Sequence, residues 1–251
     1  MADSPTAVAV DSRSFVAPDG AHVTVVRFHQ ALTRFDLHVG TQDPPTGGSA
    51  LPPEAGPTVA ATERPLLLAA FNGGFKSSTG SGGFEVGGHV LLPLVAGDAS
   101  LVVDAGGSAH VGVWGQDLPL PGEQVVSVRQ NLPPLVSGSR PSPTVTDVPA
   151  WGATLGGGAE VARSALGEDG SGSILYAGSM LALPSDLADA LVASGARSAM
   201  ELDINPEWVQ ADTASSPGGQ LVAAVPGQVR PADQYLSGWT RDFVTVLTKG
   251  W

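Results

Sequence analysis

Nine consecutive residues, Met200-Glu201-Leu202-Asp203-Ile204-Asn205-Pro206-Glu207-Trp208, hold the densest chemistry in this chain. On a strand the side chains alternate, so Glu201, Asp203 and Asn205 share one face while Leu202 and Ile204 take the other. Same-face neighbours then lie about 6.6 Å apart. Pro206 ends the strand and leaves Glu207 and Trp208 at its mouth. Two or three carboxyls beside an aromatic platform suit acid/base cleavage of a glycosidic bond. The same pattern also fits an outward-facing acidic strand end with Trp208 in the core.

Three further segments combine polar side chains with special backbone: Ala70-Phe71-Asn72-Gly73-Gly74-Phe75, Val128-Arg129-Gln130-Asn131-Leu132-Pro133-Pro134 and Val161-Ala162-Arg163-Ser164-Ala165-Leu166-Gly167. All three asparagines of the chain, Asn72, Asn131 and Asn205, fall in these segments or in the acidic one. Gly73 and Gly74 either supply positive φ in a turn that Asn72 caps, or let a ligand approach the backbone. Arg129 and Arg163 read either as salt-bridging arginines or as a bidentate grip on an anionic group. Arg241-Asp242, before the last strand, reads as a structural ion pair or as a completion of the pocket.

Other chemistries lack their residues. Gly73-Gly74-Phe75-Lys76-Ser77 misses the upstream glycine and the helix of a phosphate loop, and Gly80-Ser81-Gly82-Gly83 misses the third glycine of a dinucleotide fingerprint. There is no G-x-S-x-G nucleophile elbow. The five histidines show no metal-ligand spacing, and Asp169-Gly170-Ser171-Gly172 reads as a turn.

The elements that must position these segments are mostly strands. Apolar runs predict strands at His22–Phe28, Phe35–Val39, Leu66–Phe71, Leu101–Val103 and His110–Val113. Others are predicted at Val125–Arg129, Ile174–Ala177, Ala199–Ile204, Gln220–Val225 and Phe243–Thr248. One helix is predicted from Pro184-Ser185-Asp186 to the stop at Gly195, with Leu187, Ala190 and Leu191 forming its apolar stripe. It makes a strand–helix–strand unit whose right-handed crossover places Ile174–Ala177 and Ala199–Ile204 parallel in one sheet. The expected fold is therefore α+β: a β-rich mixed sheet with few helices, in one domain spanning residues 1–251. Gln42–Pro57 and Pro133–Pro149 are expected to be surface loops flanking a cleft.

Composition narrows the partners. The chain has 251 residues, 42% of them hydrophobic, and a net charge of −12 with only two lysines. Neutralising a nucleic acid or an anionic membrane needs clustered Lys and Arg, so neither is an expected partner. Without cysteine, thiolate zinc, thiol catalysis and disulfides are excluded. No apolar run reaches a membrane span. Met1-Ala2-Asp3-Ser4-Pro5 has neither the basic nor the apolar region of a signal peptide.

Taken in order, the segments resemble the phosphodiester glycosidase family, that of the enzyme that uncovers mannose 6-phosphate by removing N-acetylglucosamine. The family has a strand ending Asn-Gly-Gly-Phe-Phe, which Phe71-Asn72-Gly73-Gly74-Phe75 matches, with Lys76 for the second aromatic. Its Arg-Thr/Ser-Ala-x-Gly motif resembles Arg163-Ser164-Ala165-Leu166-Gly167. Its helix followed by Leu-Asp-Gly-Gly resembles Leu191 to Gly195 and then Leu202-Asp203. After Asp203 the family's glycines and serines give way to Ile204-Asn205-Pro206-Glu207-Trp208.

The resemblance implies a hydrolase acting on a sugar-1-phosphodiester or related glycosidic bond in an envelope glycan, outside the cell. In that expectation Asp203 is base or nucleophile, with Glu201 or Glu207 as the acid. Arg129 and Arg163 hold the phosphate. Asn72, Gly73, Gly74, Asn131 and Asn205 contact substrate, and Trp208 stacks on the sugar. No cofactor is firmly implied, and a divalent metal bridging Asp203 and the phosphate is an open alternative. The competing reading is a glycan- or anion-binding module without turnover.

Overall fold

A computed structural model of the chain describes residues 8–47, 51–152 and 157–249. The amino-terminal reading at Met1–Pro5 and residues 48–50 of the first loop lie outside the described residues.

In chain order the first strands are β1 (Val10–Val16), β2 (His22–Phe28), β3 (Thr33–His38), β4 (Leu67–Asn72), β5 (Phe84–Val86) and β6 (His89–Leu92). There follow β7 (Ala99–Asp104), β8 (Ala109–Val113), β9 (Val125–Gln130), β10 (Val136–Ser137), β11 (Arg140–Pro141) and β12 (Val161–Asp169). The last are β13 (Ile174–Ala182), β14 (Ala196–Glu201), β15 (Ala211–Thr213), β16 (Val222–Ala223) and β17 (Phe243–Thr248). Two α-helices are present among the described residues, α1 (Pro184–Ala193) and the short α2 (Gln234–Ser237).

Three sheets result, ordered β1-β2-β13-β12-β14-β10-β11, β16-β15-β4-β17-β3 and β6-β5-β9-β7-β8. The β-rich α+β class holds, and every ladder between named strands is antiparallel. β13 and β14 do run parallel in one sheet, as the crossover argument requires, but β12 lies between them and pairs antiparallel with both. The parallel relation is therefore one of direction, not of hydrogen bonding.

Burial explains the architecture. In β3, Phe35 and Leu37 turn inward while Arg34 and Asp36 stay half-buried, the alternation of a strand with one wet face. β4 is buried throughout because it is covered twice: Ala69 and Phe71 join a central cluster, while Leu67 and Ala70 join a second one under Tyr235. The central cluster draws Phe28, Phe71, Phe84, Leu101, Leu166 and Met200 from all three sheets. The other face of the first sheet receives α1, whose Leu187 and Leu191 pack against Val25, Ala165 and Ala177.

The helix begins and ends on the residues that the sequence marks. Asp186 Oδ2 accepts the Leu183 backbone N–H at 2.7 Å, and Gly195 beyond the last turn sits at φ +94°. No helix among the described residues is long and apolar enough to cross a membrane.

Candidate active site

β14 stops at Glu201, three residues short of the expected strand end. Beyond it, the Leu202 N–H donates to Ser164 O and the Ser164 N–H donates to Asp203 O, both at 2.8 Å. Two residues thus share the backbone of one, as in a bulge, and the simple alternation is lost. The expected common face of Glu201 and Asp203 does not form. Glu201 meets Arg163, which is anchored on Trp151 O and Ala182 O; Asp203 meets Arg241, which is anchored on Gly74 O.

Asp203 lies at the boundary of a cleft of about 1090 Å³. It is only 3% exposed; its Oδ2 accepts from Arg241 Nη1 at 2.5 Å and its Oδ1 from the Asn205 N–H at 2.9 Å. Burial raises its pKa to about 6, with Arg241 opposing the rise. A carboxyl tuned to that range can accept or give a proton near neutral pH. Ile204, Asn205, Pro206, Glu207, Trp208 and Arg241 line the same cleft. Both stretches expected to flank it do so, through Gln42 and Asp43 on one and Pro149 on the other, although the second is not loop throughout: β10 and β11 lie within it, and β10 joins the first sheet beside β14.

The other candidates sit close to Asp203 but face inward. Asn72 donates to Gly73 O and Ser164 Oγ, each at 2.9 Å, and its Oδ1 accepts from Tyr176 Oη and the Gln210 N–H. All four of its hydrogen-bonding positions are thus filled, tying the second sheet to the first. Asn131 donates to Glu201 O and Leu202 O, which fixes the backbone just before Asp203.

Gly73 and Gly74 do not adopt positive φ. A Cβ at Gly73 would lie 1.9 Å from Asp242 Oδ2, and one at Gly74 would lie 2.7 Å from the Arg129 guanidinium. The close approach that glycine permits here is made by this chain's own charged side chains. Asn72, Gly73 and Gly74 border a small void of about 10 Å³, together with Asp203 and Arg241.

Arg129 and Arg163, expected to grip the phosphate, are wholly buried and do not line the cleft. Arg129 Nε donates to Asp242 Oδ2 at 2.7 Å, and its terminal nitrogens donate to Gln130 O and Phe75 O at 2.5 Å each. Arg163 Nη1 donates to Glu201 Oε1 at 2.7 Å. Glu201, expected as an acid, is likewise enclosed and does not line the cleft; burial pushes its pKa up to about 8, with Arg163 opposing. Arg241 and Asp242 do not pair with each other. Each takes a partner from a different segment, Asp203 and Arg129 respectively.

Glu207 is at the rim with its side chain 54% exposed, and its Oε2 accepts from Arg230 Nη2 at 3.1 Å. The Arg230 guanidinium lies over both indoles, 4.3 Å from the ring centre of Trp208 and 4.1 Å from that of Trp239. Trp239 is 55% exposed, lines the cleft and holds φ +61°. Trp239 and Arg230 had no local signal; Arg241, read from the sequence as an ion pair with Asp242 or a completion of the pocket, lines the cleft and pairs with Asp203. Among the described residues, no three His, Asp or Glu side chains converge to hold a metal.

No family model and no curated protein matches the chain. Solved structures do. The catalytic domain of zebrafish N-acetylglucosamine-1-phosphodiester α-N-acetylglucosaminidase, auto-inhibited by its pro-peptide, matches 100% of this chain and 86% of its own, with 15% identity and a TM-score of 0.59. A hypothetical protein from Synechocystis matches over 99% and 65%, with 13% identity and a TM-score of 0.53. A protein of Burkholderia pseudomallei K96243 described as exported matches over 91% and 74%, with 14% identity and a TM-score of 0.52. At such identities the likeness is one of fold, and in fold this chain is distantly similar to the catalytic domain of a phosphodiester glycosidase.

Proposed function

We propose that this protein is a hydrolase that cleaves a sugar-1-phosphodiester, or a related glycosidic bond, in a cell-envelope glycan. The observation that carries the reading is the Asp203–Arg241 pair: a carboxyl with pKa raised to about 6 and a cation, side by side at the wall of a large cleft. Asp203 takes the proton of a water that attacks the anomeric carbon. The bond from that carbon to the bridging oxygen breaks, and the electron pair leaves with the phosphate as a monoester. Arg241 neutralises the charge that develops there, the role first expected of Arg129 and Arg163.

A phosphate leaving group suits a site with one well-tuned carboxyl. A phosphomonoester has a second pKa near ~6, so its departure needs little help from an acid. An alkoxide leaving group would need a strong general acid, and Glu201 is not at the cleft while Glu207 is engaged by Arg230. In this reading Arg129, Arg163, Asn72 and Asn131 act as positioning residues, holding the backbone around Asp203. The whole chain, residues 1–251, works as one domain, in keeping with an apolar cluster fed by all three sheets. An extracellular or envelope setting accords with the exported neighbour.

The test is a substrate screen with the full chain. Cleavage of N-acetylglucosamine-1-phosphate methyl ester is expected, with methyl N-acetylglucosaminide cleaved at least ~100-fold more slowly. Equal turnover of the two would overturn the phosphate-specific mechanism. Among the described residues each carboxyl lining the cleft is engaged, Asp203 by Arg241, Asp43 by Ser77 and Glu207 by Arg230, which also favours a glycan- or anion-binding module. Binding of the ester by calorimetry with no release of sugar would establish that reading instead.

A further inference from the structure

The cleft exceeds what the Asp203–Arg241 pair requires. Its volume of about 1090 Å³ lies just above the ~300–1,000 Å³ typical of small-molecule sites. A single sugar phosphate leaves much of it empty. The character of the wall changes with distance from Arg241. Arg241 holds Gly74 O, and Lys76 follows two residues later on the same turn, so the two cations of the cleft share one side.

One stretch of the remaining wall is apolar, while Gln42, Asp43, Thr79, Ser81, Asn205 and Glu207 supply polar groups elsewhere in the lining. Val161 opens β12 and Met180 lies near the end of β13, so the first sheet presents them together at one edge of its strands. Leu132, Ile204 and the ring of Phe75 continue that surface. Gly152 lets it close: a Cβ there would lie 2.6 Å from Ile204 Cδ1 and 3.1 Å from Phe75 Cζ. A bulkier residue would drive the two side chains apart.

We infer that the aglycone of the substrate is an aliphatic alcohol: the cleft takes a sugar-1-phosphodiester with its phosphate at Arg241 and its alkyl chain along Phe75, Leu132, Val161, Met180 and Ile204. The inference rests on the phosphodiester reading above. A polyhydroxyl aglycone would surrender hydrogen bonds to water along this wall and regain few, which opposes its entry. An alkyl chain loses none. The binding gain from a fully buried methylene is about fourfold in affinity, and from a half-buried one about twofold.

The experiment is a series of N-acetylglucosamine-1-phosphate esters with methyl, butyl, hexyl and glyceryl alcohols. KM is measured on the full chain and affinity by calorimetry on the Asp203→Asn variant. From methyl to butyl, KM and Kd should each fall about eightfold, continuing to hexyl, while the glyceryl ester stays near the methyl value. Met180→Asn and Ile204→Asn, both at half-buried positions, should each flatten the chain-length series. A flat series in the unaltered protein, or a glyceryl ester bound as tightly as the butyl, overturns the aliphatic aglycone and leaves the phosphodiester reading intact. Failure to bind or cleave any ester, the methyl included, overturns the phosphodiester reading itself and this inference with it.

Discussion

Replacing Asp203 by asparagine removes one charge and almost no volume, so it separates chemistry from packing. The carboxylate makes two contacts, Oδ2 with Arg241 at 2.5 Å and Oδ1 with the Asn205 N–H at 2.9 Å. An amide has one acceptor oxygen and keeps only one of them. The lost charge-assisted bond is worth about 1.5–3 kcal/mol, partly offset because a carboxylate no longer has to be buried. At about 2–4 °C per kcal/mol for a chain of this size, Tm should fall by roughly 2–10 °C. The protein stays folded at room temperature.

Turnover should respond on another scale. A positioned base contributes ~10²–10⁴-fold to rate, or about 3–5 kcal/mol of barrier. Asp203→Asn should therefore lower kcat on the methyl phosphodiester by at least ~100-fold, with ester affinity nearly retained. Steady-state kinetics, calorimetric binding and a thermal melt on one preparation give all three numbers. Retention of more than a tenth of kcat would refute the role of Asp203. Loss of activity only where the melt shows unfolding would make it a structural residue.

Two other perturbations separate the inner arginines from the outer one and read the buried charges. Arg163→Met leaves the carboxyl of Glu201, which is 1% exposed, without its hydrogen-bond donor; near neutral pH, where burial keeps that carboxyl largely protonated, the loss should cost about 1–3 kcal/mol, visible in a urea titration. Arg241→Lys should melt near the parent temperature while KM for the phosphodiester rises several-fold, because a point charge replaces a planar fork; an unchanged KM would remove Arg241 from the phosphate site. Stability should also depend on pH. Burial raises Glu201 to about 8 and Asp212 to about 7. The stability contributed by a raised carboxyl is complete below its unfolded pKa and lost as pH rises through the folded one. His38, lowered to about 4 by burial, opposes this slope only until its unfolded imidazole has lost its proton, about one pH unit above ~6.5, and is outweighed by the two carboxyls. Tm should fall between pH 6.5 and 9, and a rise over that interval would contradict the burial argument.

Much of the framework was readable because its signals are local. β2 and β17 fall on the residues predicted, and α1 begins at Pro184 and stops before Gly195. β12 escaped notice for a physical reason: it is covered on both faces, so Val161–Asp169 need not alternate, and its small residues answer to packing. A Cβ at Gly167 would meet Ser198 O at 3.0 Å and Ala199 Cβ at 3.4 Å. β1 hid for the opposite reason, as an edge strand with little buried surface.

The site was half legible. Asp203 stood out, but a period of two cannot foresee that Leu202 and Asp203 both pair with Ser164 and turn Glu201 away. Residue type marked Arg129 and Arg163 as anion binders without showing that the anions are Asp242 and Glu201. Arg241 pairs with Asp203 across 38 residues of sequence, and no local pattern records such a meeting.

The segment from Asn205 to Trp208 now divides from Asp203 in what it can do. Asn205 Oδ1 accepts the Glu207 N–H, and its carbonyl accepts the N–H groups of Trp208 and Val209. With Pro206 inside, the turn has little freedom left. Glu207 holds Arg230 through its carbonyl and its carboxylate, and the two indoles that Arg230 covers lie 6.0 Å apart. Trp239 holds a left-handed backbone conformation that costs a non-glycine residue about 1–2 kcal/mol. That cost falls on a residue that is more exposed than buried, so core packing does not account for it. A rigid indole at the cleft wall binds without first being ordered, which favours ligands shaped to its fixed face. In the proposed reaction Asp203 and Arg241 would act on the bond, while Asn205, Glu207, Arg230 and the two tryptophans would shape what enters. A flexible glycine loop after Asp203, as in the family the sequence resembles, could not hold that platform.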